Sequence, residues 1–353
     1  MRDGQWMIYG ANGFTGRLCV ERAVERGLRP ILAGRNAEQV RPLAREYGLD
    51  ARVFDLDDPA RLRDAVRDVA LVLHCAGPFS ATARPMRDAC LDEQAHYLDI
   101  TGERDVFVDS FARDEDARAA GIAIISGVGL DVVPTDCLAR MLADEMPDAV
   151  RLDLALKGVA SPTAGTLKTV VEGIPARAAV RIDGELRTVP FGWRAESVAF
   201  ATGRAPTLTA PLGDLVTAWK STGIETIHCA VAVPAAMVRG ARVVDGLRTV
   251  FALRPVRQLA KAAIGRFVRG PSRDERDQAQ TEVWARVTDA DGACLQATLT
   301  VAEGYAFTAL SAVAAVERVL DGEVPPGAHA PASAFGADFV LELPRSVFHG
   351  ITS

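Results

Sequence analysis

Trp6-Met7-Ile8-Tyr9-Gly10-Ala11-Asn12-Gly13-Phe14-Thr15-Gly16 runs four apolar residues into three glycines, and a helical pattern follows at once. The spacing G-x-x-G-x-x-G is that of a buried strand, a tight turn and a helix N-terminus. The first glycine lets the chain turn where a side chain would clash. The second lets backbone approach a diphosphate, and the third lets helix and strand pack closely. Free N–H groups and the helix dipole then face an anion. In this strand–turn–helix context we expect a dinucleotide site, with Gly10, Asn12, Gly13, Phe14, Thr15 and Gly16 at the cofactor.

Outward from this turn, short apolar strands alternate with helical patterns as far as residue 126. Strands are expected at Trp6–Tyr9, Pro30–Ala33, Ala51–Phe54, Ala70–His74, His96–Asp99 and Ile122–Ser126. Helices are expected at Phe14–Gly27, Ala37–Tyr47, Pro59–Val66, Arg84–Glu93 and Arg104–Ala120. Asp58-Pro59 supplies an N-cap followed by proline at the first helical position, and Gly27 and Gly48 stop their helices. The βαβ order with apolar strands implies an α/β fold: a doubly wound parallel sheet of Rossmann type, with ligand at the carboxyl ends of the strands.

The end of the second strand bears on the choice of dinucleotide. A carboxylate there would bond a ribose 2′-hydroxyl, but the chain reads Ala33-Gly34-Arg35-Asn36. Arg35 attracts a 2′-phosphate and can stack on adenine, so NADP(H) is the expected cofactor, with Asn36 beside it. The plainer reading of Arg35 is a solvated residue at a strand end. Asp55 ends the third strand and is read either as an adenine contact or as a helix cap. The fourth strand ends in His74-Cys75-Ala76-Gly77-Pro78-Phe79, where the chain passes under the second ribose. Cys75, Ala76, Gly77, Pro78 and Phe79 are therefore taken as cofactor contacts. Cys75 reads as a small buried residue rather than a nucleophile, and His74 as core.

Two further stretches follow strand ends on the same side: Tyr97-Leu98-Asp99-Ile100-Thr101-Gly102-Glu103, and Gly127 to Asp136. Alternation puts Tyr97 and Asp99 on one face. Thr101, Asp131 and Thr135 read as helix caps or as walls of a nicotinamide pocket.

Together, Gly10–Gly16, Ala33-Gly34-Arg35, Cys75–Phe79, Tyr97–Glu103 and Gly129-Leu130-Asp131-Val132-Val133-Pro134-Thr135-Asp136 resemble the saccharopine dehydrogenase-like oxidoreductases, most nearly their trans-acting enoyl reductase-like branch. The resemblance covers about the first 140 residues and continues weakly from Gly304-Tyr305 to Leu320. It implies an N-terminal Rossmann domain, a second α/β domain inserted before a returning C-terminal segment, and NADP(H). It implies no single substrate. Members reduce imines in amino-acid metabolism or carbon–carbon double bonds on polyketide chains.

Domains are accordingly expected at 1–136, 137–303 and 304–353, the last returning to the first. In the second half, strands are expected at Arg151–Gly158, Thr226–Val233 and in two hairpins. Asp183-Gly184 joins Ala179–Ile182 to Glu185–Val189, and residues 289–292 join Thr281–Thr288 to Ala293–Val301. A mostly antiparallel sheet that covers the cofactor is the expected result. Helices are expected at Ala164–Ile174 and Phe307–Leu320, and a last short strand at Phe339–Leu343. Between Arg239 and Arg273, nine basic residues face one acid, Asp245, with apolar residues threaded between at helical spacing. This segment is read as a surface for an acidic partner or an anionic membrane, or as a helix completing a cavity or dimer contact.

The chain has 353 residues, 49% hydrophobic and 24% charged, and a net charge of −6 that argues against nucleic-acid binding. Six scattered cysteines form no C-x-x-C pair, so reduced thiols are expected, with no disulfide frame and no metal site. A cytoplasmic homodimer without a signal segment is expected, with peripheral membrane contact as the variant that the basic segment allows.

None of the four tyrosines is followed by lysine four residues later, which removes the usual Y-x-x-x-K alcohol dehydrogenase reading. Reduction of an imine or activated alkene then gains weight, since one weak acid suffices for protonation. Tyr97 is the first candidate for that acid, with Asp99 and Glu103 behind it; Thr166 and Lys168 are lesser candidates for holding substrate. Few second-half charges look like a carboxylate clamp, and Thr207–Leu215 and Val231–Met237 are largely apolar. The leading expectation is an NADP(H)-dependent reductase of a C=C or C=N bond, acting on a largely hydrophobic small molecule or carrier-bound acyl chain. An NADP(H)-sensing protein without turnover and a lipid-surface protein are the alternatives.

Overall fold

The computed structural model describes residues 4–158, 178–190, 192–238 and 279–353, with isolated positions between 239 and 278. The expected helix at 164–174, with Thr166 and Lys168, and most of the basic segment at 239–273 lie outside the described residues. Contacts divide the chain into two units. The first is Met1–Val133 with Tyr305–Leu343, and the second is Pro134–Gly304 with Pro344–Ser353. The stretch expected to return as one piece therefore splits, and its last ten residues join the second unit.

In the first unit the elements run β1 (Trp6–Tyr9), α1 (Phe14–Glu25), β2 (Ile31–Gly34), α2 (Ala37–Tyr47), β3 (Ala51–Val53), α3 (Pro59–Val66) and β4 (Leu71–His74). They continue with α4 (Phe79–Asp92), β5 (His96–Asp99), α5 (Arg104–Phe111), α6 (Asp114–Ala120) and β6 (Ala123–Ile125). Gly48 and Asp58 cap as the sequence implies, and Asn36, expected at the cofactor, caps α2 as well. Asn36 accepts from the Glu38 amide and Gly48 closes α2 in the left-handed region, while Asp58 accepts from the Ala60 and Arg61 amides.

The second unit holds α7 (Val133–Glu145, whose first residue belongs to the first unit), β7 (Arg151–Lys157), β8 (Ala178–Ile182), β9 (Glu185–Val189), β10 (Ala195–Phe200), β11 (Gly203–Thr209), α8 (Asp214–Thr222) and β12 (Thr226–Ala232). It continues with β13 (Gln280–Thr288) and β14 (Cys294–Ala302). The chain then re-enters the first unit with α9 (Gly304–Leu320, from Tyr305 on), β15 (Gly327–His329), α10 (Pro331–Phe335) and α11 (Phe339–Glu342), and ends in the second unit with β16 (Val347–Thr352).

The first sheet is parallel throughout, in the order β15-β6-β5-β4-β1-β2-β3. The chain steps outward from β1 to β3, then reverses at β4. The crevice at the carboxyl ends of β1 and β4 is the topological switch point where open α/β sheets take their ligands. Met7, Val72, Tyr97 and Ile124 stand in one register row on adjacent strands and belong to one buried cluster. The seventh strand, β15, was not expected; it pairs with β6 through Gly327–His329.

Three local expectations are corrected. The helix expected from Arg84 begins at Phe79, because the Glu103 side chain satisfies its first amides. The helix expected across Arg104–Ala120 is two, because the acid-rich Asp114, Glu115 and Asp116 open a fresh N-terminal turn. Phe339–Leu343 is not a strand: Phe339 and Val340 are consecutive and both buried, as on a helix shoulder, and Phe339–Glu342 is helical.

The second sheet runs β10-β11-β12-β7-β13-β14-β16, with β8 on β12 and β9 on β8. Every pair is antiparallel except β12–β7. Asp183 and Gly184 both have positive φ, at 52° and 78°, as a type I′ turn requires. The β10–β11 hairpin was missed, since Ala201-Thr202 carries no Asn-Gly or Asp-Gly signal. No helix of the described residues is long and apolar enough to cross a membrane.

Candidate functional site

Gly10 leaves β1 with φ +82°, and a Cβ there would lie 2.8 Å from both Cβ and N of Ala76. The first and fourth strand ends can thus touch only because residue 10 has no side chain. A Cβ on Gly16 would stand 2.2 Å from the Gly10 carbonyl oxygen, so the third glycine lets α1 seat against the turn. Gly13 meets only that same oxygen, at 3.2 Å.

The helices after the first four strands start differently. Asn36 caps α2, Asp58 caps α3, and the Glu103 carboxylate accepts from the Phe79 and Ser80 amides of α4 at 2.8 Å each. At α1, Gly13 offers no side-chain cap and the first turn holds no acid. With no side-chain cap and no acid there, the positive end of its dipole suits an external anion. Asn12 donates to Gln39 Oε1 at 2.7 Å, and its backbone oxygen accepts from Arg17 Nε at 3.3 Å, which fixes the turn from outside. Phe14 packs edge-on against Tyr305 with ring centroids 5.0 Å apart.

At the adenosine end, Arg35 is exposed and makes no hydrogen bond or ion pair with any described residue. Asn36 spends its side chain on the α2 cap, and Asp55 accepts from the Leu56 amide at 2.7 Å. The Tyr9 hydroxyl donates to the Phe54 carbonyl at 3.3 Å. Its pKa is pushed up to about 12 by burial first, then by Asp55, with Arg35 pulling it down. Arg35 and Asp55 therefore flank one point at the ends of β1 and β3. A cradle without Cβ atoms, an uncapped helix start and an unpaired guanidinium together fit a dinucleotide carrying an extra phosphate.

Past the switch point, Cys75 and Ala76 are half-buried while Gly77 and Pro78 are exposed. The Cys75 thiol is held well above its ordinary range by its neighbour Cys19 and by burial, which leaves it protonated and unreactive. His74 is buried, its Nε2 is 3.0 Å from Thr82 Oγ1, and burial lowers its pKa to about 3, so it stays neutral.

The three residues first expected to move a proton have structural positions. Tyr97 is fully buried in the core, and burial, then Asp99, hold its pKa well above the usual range. Asp99 is also fully buried. It accepts from the Thr101 and Gly127 amides at 3.0 Å each and from Ser126 Oγ at 2.8 Å, tying the loops after β5 and β6 together. Glu103 is the α4 cap. None of the three presents a free proton to a ligand at this edge.

Sequence reading left Asp131 between a helix cap and a wall of the nicotinamide pocket, without naming it as a proton donor. In the structure the residue reaches solvent, but its carboxyl, which has no hydrogen-bond or ion-pair partner among the described residues, is desolvated by the protein around it, and this pushes its pKa upward. A Cβ on Gly102 would lie 2.5 Å from Asp131 Oδ2, so the carboxyl occupies space that only glycine leaves after β5. Its loop is held from α9: Thr308 Oγ1 accepts from the Leu130 amide at 3.1 Å, and Ser311 Oγ donates to the Val128 carbonyl at 2.8 Å. A carboxyl of raised pKa at the carboxyl edge of a parallel sheet holds its proton more tightly than an ordinary carboxylate and is placed to pass it to a ligand. The signal in sequence was Gly102, which clears space for the acid, while Gly129 admits Thr308 beside its loop. A surface depression lined by Gly27, Arg29, Pro30, Gly48 and Asp50 lies at the opposite, amino-terminal edge, away from all these groups.

Residues 6–125 match the family described as the saccharopine dehydrogenase NADP binding domain. The trans-acting enoyl reductase of Mycobacterium leprae (strain TN) is 30% identical over 169 residues, covering 44% of this chain and 40% of that protein. A probable mitochondrial saccharopine dehydrogenase-like oxidoreductase of Arabidopsis thaliana is 29% identical over 193 residues, covering 48% of this chain and 42% of that protein. The matches thus span well under two thirds of these relatives' own lengths. Among solved structures, apo saccharopine dehydrogenase (L-Glu forming) from Saccharomyces cerevisiae aligns over 99% of this chain and 100% of its own, with a TM-score of 0.65 and 14% identity. Homospermidine synthase from Legionella pneumophila, in complex with NAD, aligns over 96% and 88%, with a TM-score of 0.61 and 9% identity. These likenesses show the fold: a Rossmann-type sheet with a second, mixed-sheet unit.

Proposed function

We propose that this chain, whose first domain belongs to the saccharopine dehydrogenase NADP-binding family, is an NADP(H)-dependent oxidoreductase that reduces a C=C or C=N bond of a largely hydrophobic or carrier-bound substrate. The observation that carries the reading is the pairing, on one sheet edge, of an uncapped glycine-turn helix with a partnerless carboxyl of raised pKa at Asp131. Bound NADPH would supply the hydride. The chain's own residues do the rest. The α1 amides hold the diphosphate and Arg35 holds the 2′-phosphate. Gly102 leaves room for Asp131, and Thr308 and Ser311 fix the Asp131 loop. Asp131 delivers a proton to the carbon or nitrogen that receives the electron pair when hydride adds to its neighbour. A trans-acting enoyl reductase among the relatives favours the C=C bond, and the fold shared with saccharopine dehydrogenase keeps C=N open.

The test is NADPH consumption against a panel of enoyl thioesters and cyclic imines, with wild type and Asp131→Asn. The reading expects turnover in wild type, with kcat down at least a hundredfold in the variant and NADPH affinity retained. Tight NADPH binding without turnover across the panel would instead make the protein a sensor of NADP(H).

A further inference from the structure

The second unit carries a charge cluster assembled from residues far apart in sequence. Asp153, His228 and Arg286 stand in one register row on β7, β12 and β13. Asp153 is 2% exposed and receives three guanidinium groups. Arg151 donates to both carboxylate oxygens at 2.9 and 3.1 Å, Arg194 to Oδ1 at 2.7 Å, and Arg286 to Oδ2 at 3.0 Å. His228 Nδ1 stands 3.4 Å from Oδ1. Burial works against the charged form of Asp153, yet these bonds hold its pKa below the ordinary carboxylate range.

One carboxylate offers about four lone-pair directions, so Asp153 is saturated. Glu196 adds a second negative charge, paired with Arg194 and 3.9 Å from Arg286. The cluster therefore holds three fixed positive charges against two negative ones, before any proton on His228. Its donors are not used up. Arg286 gives the protein only Nη2, and Arg151 only Nε and Nη2, among the described residues. The remaining edges of Arg151 and Arg286 lie on side chains that reach solvent, 38% and 29% exposed, whereas Arg194 binds Asp153 and Glu196 through Nε, Nη1 and Nη2. Trp193, itself 46% exposed, lies with its ring 6.0 Å from that of His228, and Trp284 stacks beneath Arg286 at 5.2 Å. A second cluster on the same sheet differs: Lys157, Glu282 and Thr202 balance one positive charge with one negative.

We propose that Arg151 and Arg286, with Arg194 adding charge behind them, form an oxyanion-binding site in the second unit, taking the phosphate or carboxylate of an organic ligand whose flat or apolar body lies on Trp193. The saturated Asp153 acts as the pedestal that holds three like charges together. The unused guanidinium edges are the forked donors that match a planar or tetrahedral oxyanion. The site stands on the second unit alone and does not depend on which bond the protein reduces.

The experiment is a titration of the full-length protein with inorganic phosphate, and in a second arm acetate, at constant ionic strength made up with chloride. NADP+ is kept saturating, so that the phosphate pocket of the first unit is filled. The readout is tryptophan emission. We expect a saturable change with one or both anions, absent in Trp193→Phe. Its midpoint should move at least tenfold in Arg286→Gln and in the more exposed Arg151→Gln, and stay put in the distant Arg187→Gln. Circular dichroism of Arg151→Gln shows whether the fold survives. An unsaturable response, or one unchanged in folded Arg151→Gln and Arg286→Gln, overturns the proposal. The arm that saturates at lower concentration tells phosphate from carboxylate.

Discussion

The Thr308 hydroxyl accepts a hydrogen bond from the Leu130 amide at 3.1 Å, and its methyl group fills the space where a Cβ on Gly129 would lie 2.8 Å away. One side chain on α9 thus fixes both backbone and packing one residue before Asp131. Thr308→Val keeps the shape and removes the acceptor. Leaving a buried amide unpaired costs roughly 1–3 kcal/mol. We expect a lower Tm and a several-fold fall in kcat, with NADPH affinity unchanged in a fluorescence titration. An equal loss of NADPH binding would mean that the damage reaches the glycine turn.

Arg35→Ala should weaken NADPH far more than NADH, by at least about tenfold, because one charge-assisted contact to phosphate contributes roughly 1.5–3 kcal/mol. Calorimetric titration with both nucleotides measures it. Equal losses for the two would place the 2′-phosphate elsewhere.

Gly10→Ala and Gly27→Ala form a matched pair. Both residues have positive φ, at +82° and +77°, but a Cβ meets Ala76 at position 10 and nothing within 4 Å at position 27. Strain alone costs on the order of 1–2 kcal/mol at either site. The clash is added only at position 10, so its Tm should fall clearly further and nucleotide binding should fall with it.

Asp131 carries a cost that its removal reveals. Its folded pKa is raised, so the folded state binds more protons than the unfolded chain between about pH 4, the unfolded value, and the raised one. Stability therefore declines as pH rises through that window and stays lower above it. Asp131→Asn should be more stable than wild type at neutral pH, with the gain fading below about pH 4, as denaturant titrations at several pH values would read. In wild type, kcat/KM should fall as pH rises through the raised pKa. Asn at 131 should abolish that limb.

Asp153→Ala leaves Arg151, Arg194 and Arg286 facing one another around Glu196 alone. Removing one partner of a mostly buried ion cluster costs about 3–5 kcal/mol, less here because the arginines touch solvent. We expect at least about 2 kcal/mol of destabilisation in urea, partly relieved by added phosphate. Relief by chloride at equal ionic strength would show screening rather than binding.

What was legible in the sequence was local. The glycine turn, the Asp58 cap and the Asp183-Gly184 hairpin each follow from a few consecutive residues, whereas Asn36, read as a cofactor contact, turned out to cap α2. The central strands β1, β2 and β4 read equally well because both their faces are covered. The depth of Tyr97 and the partners of Asp99 and Glu103 were not legible, because strand alternation gives a side chain's face and not its depth, and these carboxylates bond amides of the loops after β4, β5 and β6. Asp131 was not named as a proton donor because its isolation depends on Gly102 and on what fails to reach it. Arg151, Arg194 and Arg286 looked like scattered surface charges until three strands and a turn brought them to one carboxylate. Phe339–Leu343 is a short apolar run, which periodicity alone does not divide between helix and strand.

The bond between Leu130 and Thr308 spans 178 residues of chain. At translation speeds of roughly 5–20 residues per second, Asp131 leaves the ribosome on the order of ten to thirty-five seconds before the helix that pins its loop, and the glycine turn earlier still. During that interval the nascent first unit has its nucleotide cradle but lacks its seventh strand and the clamp on its acid. A nascent chain stalled before residue 304 should therefore acquire nucleotide affinity ahead of catalytic competence.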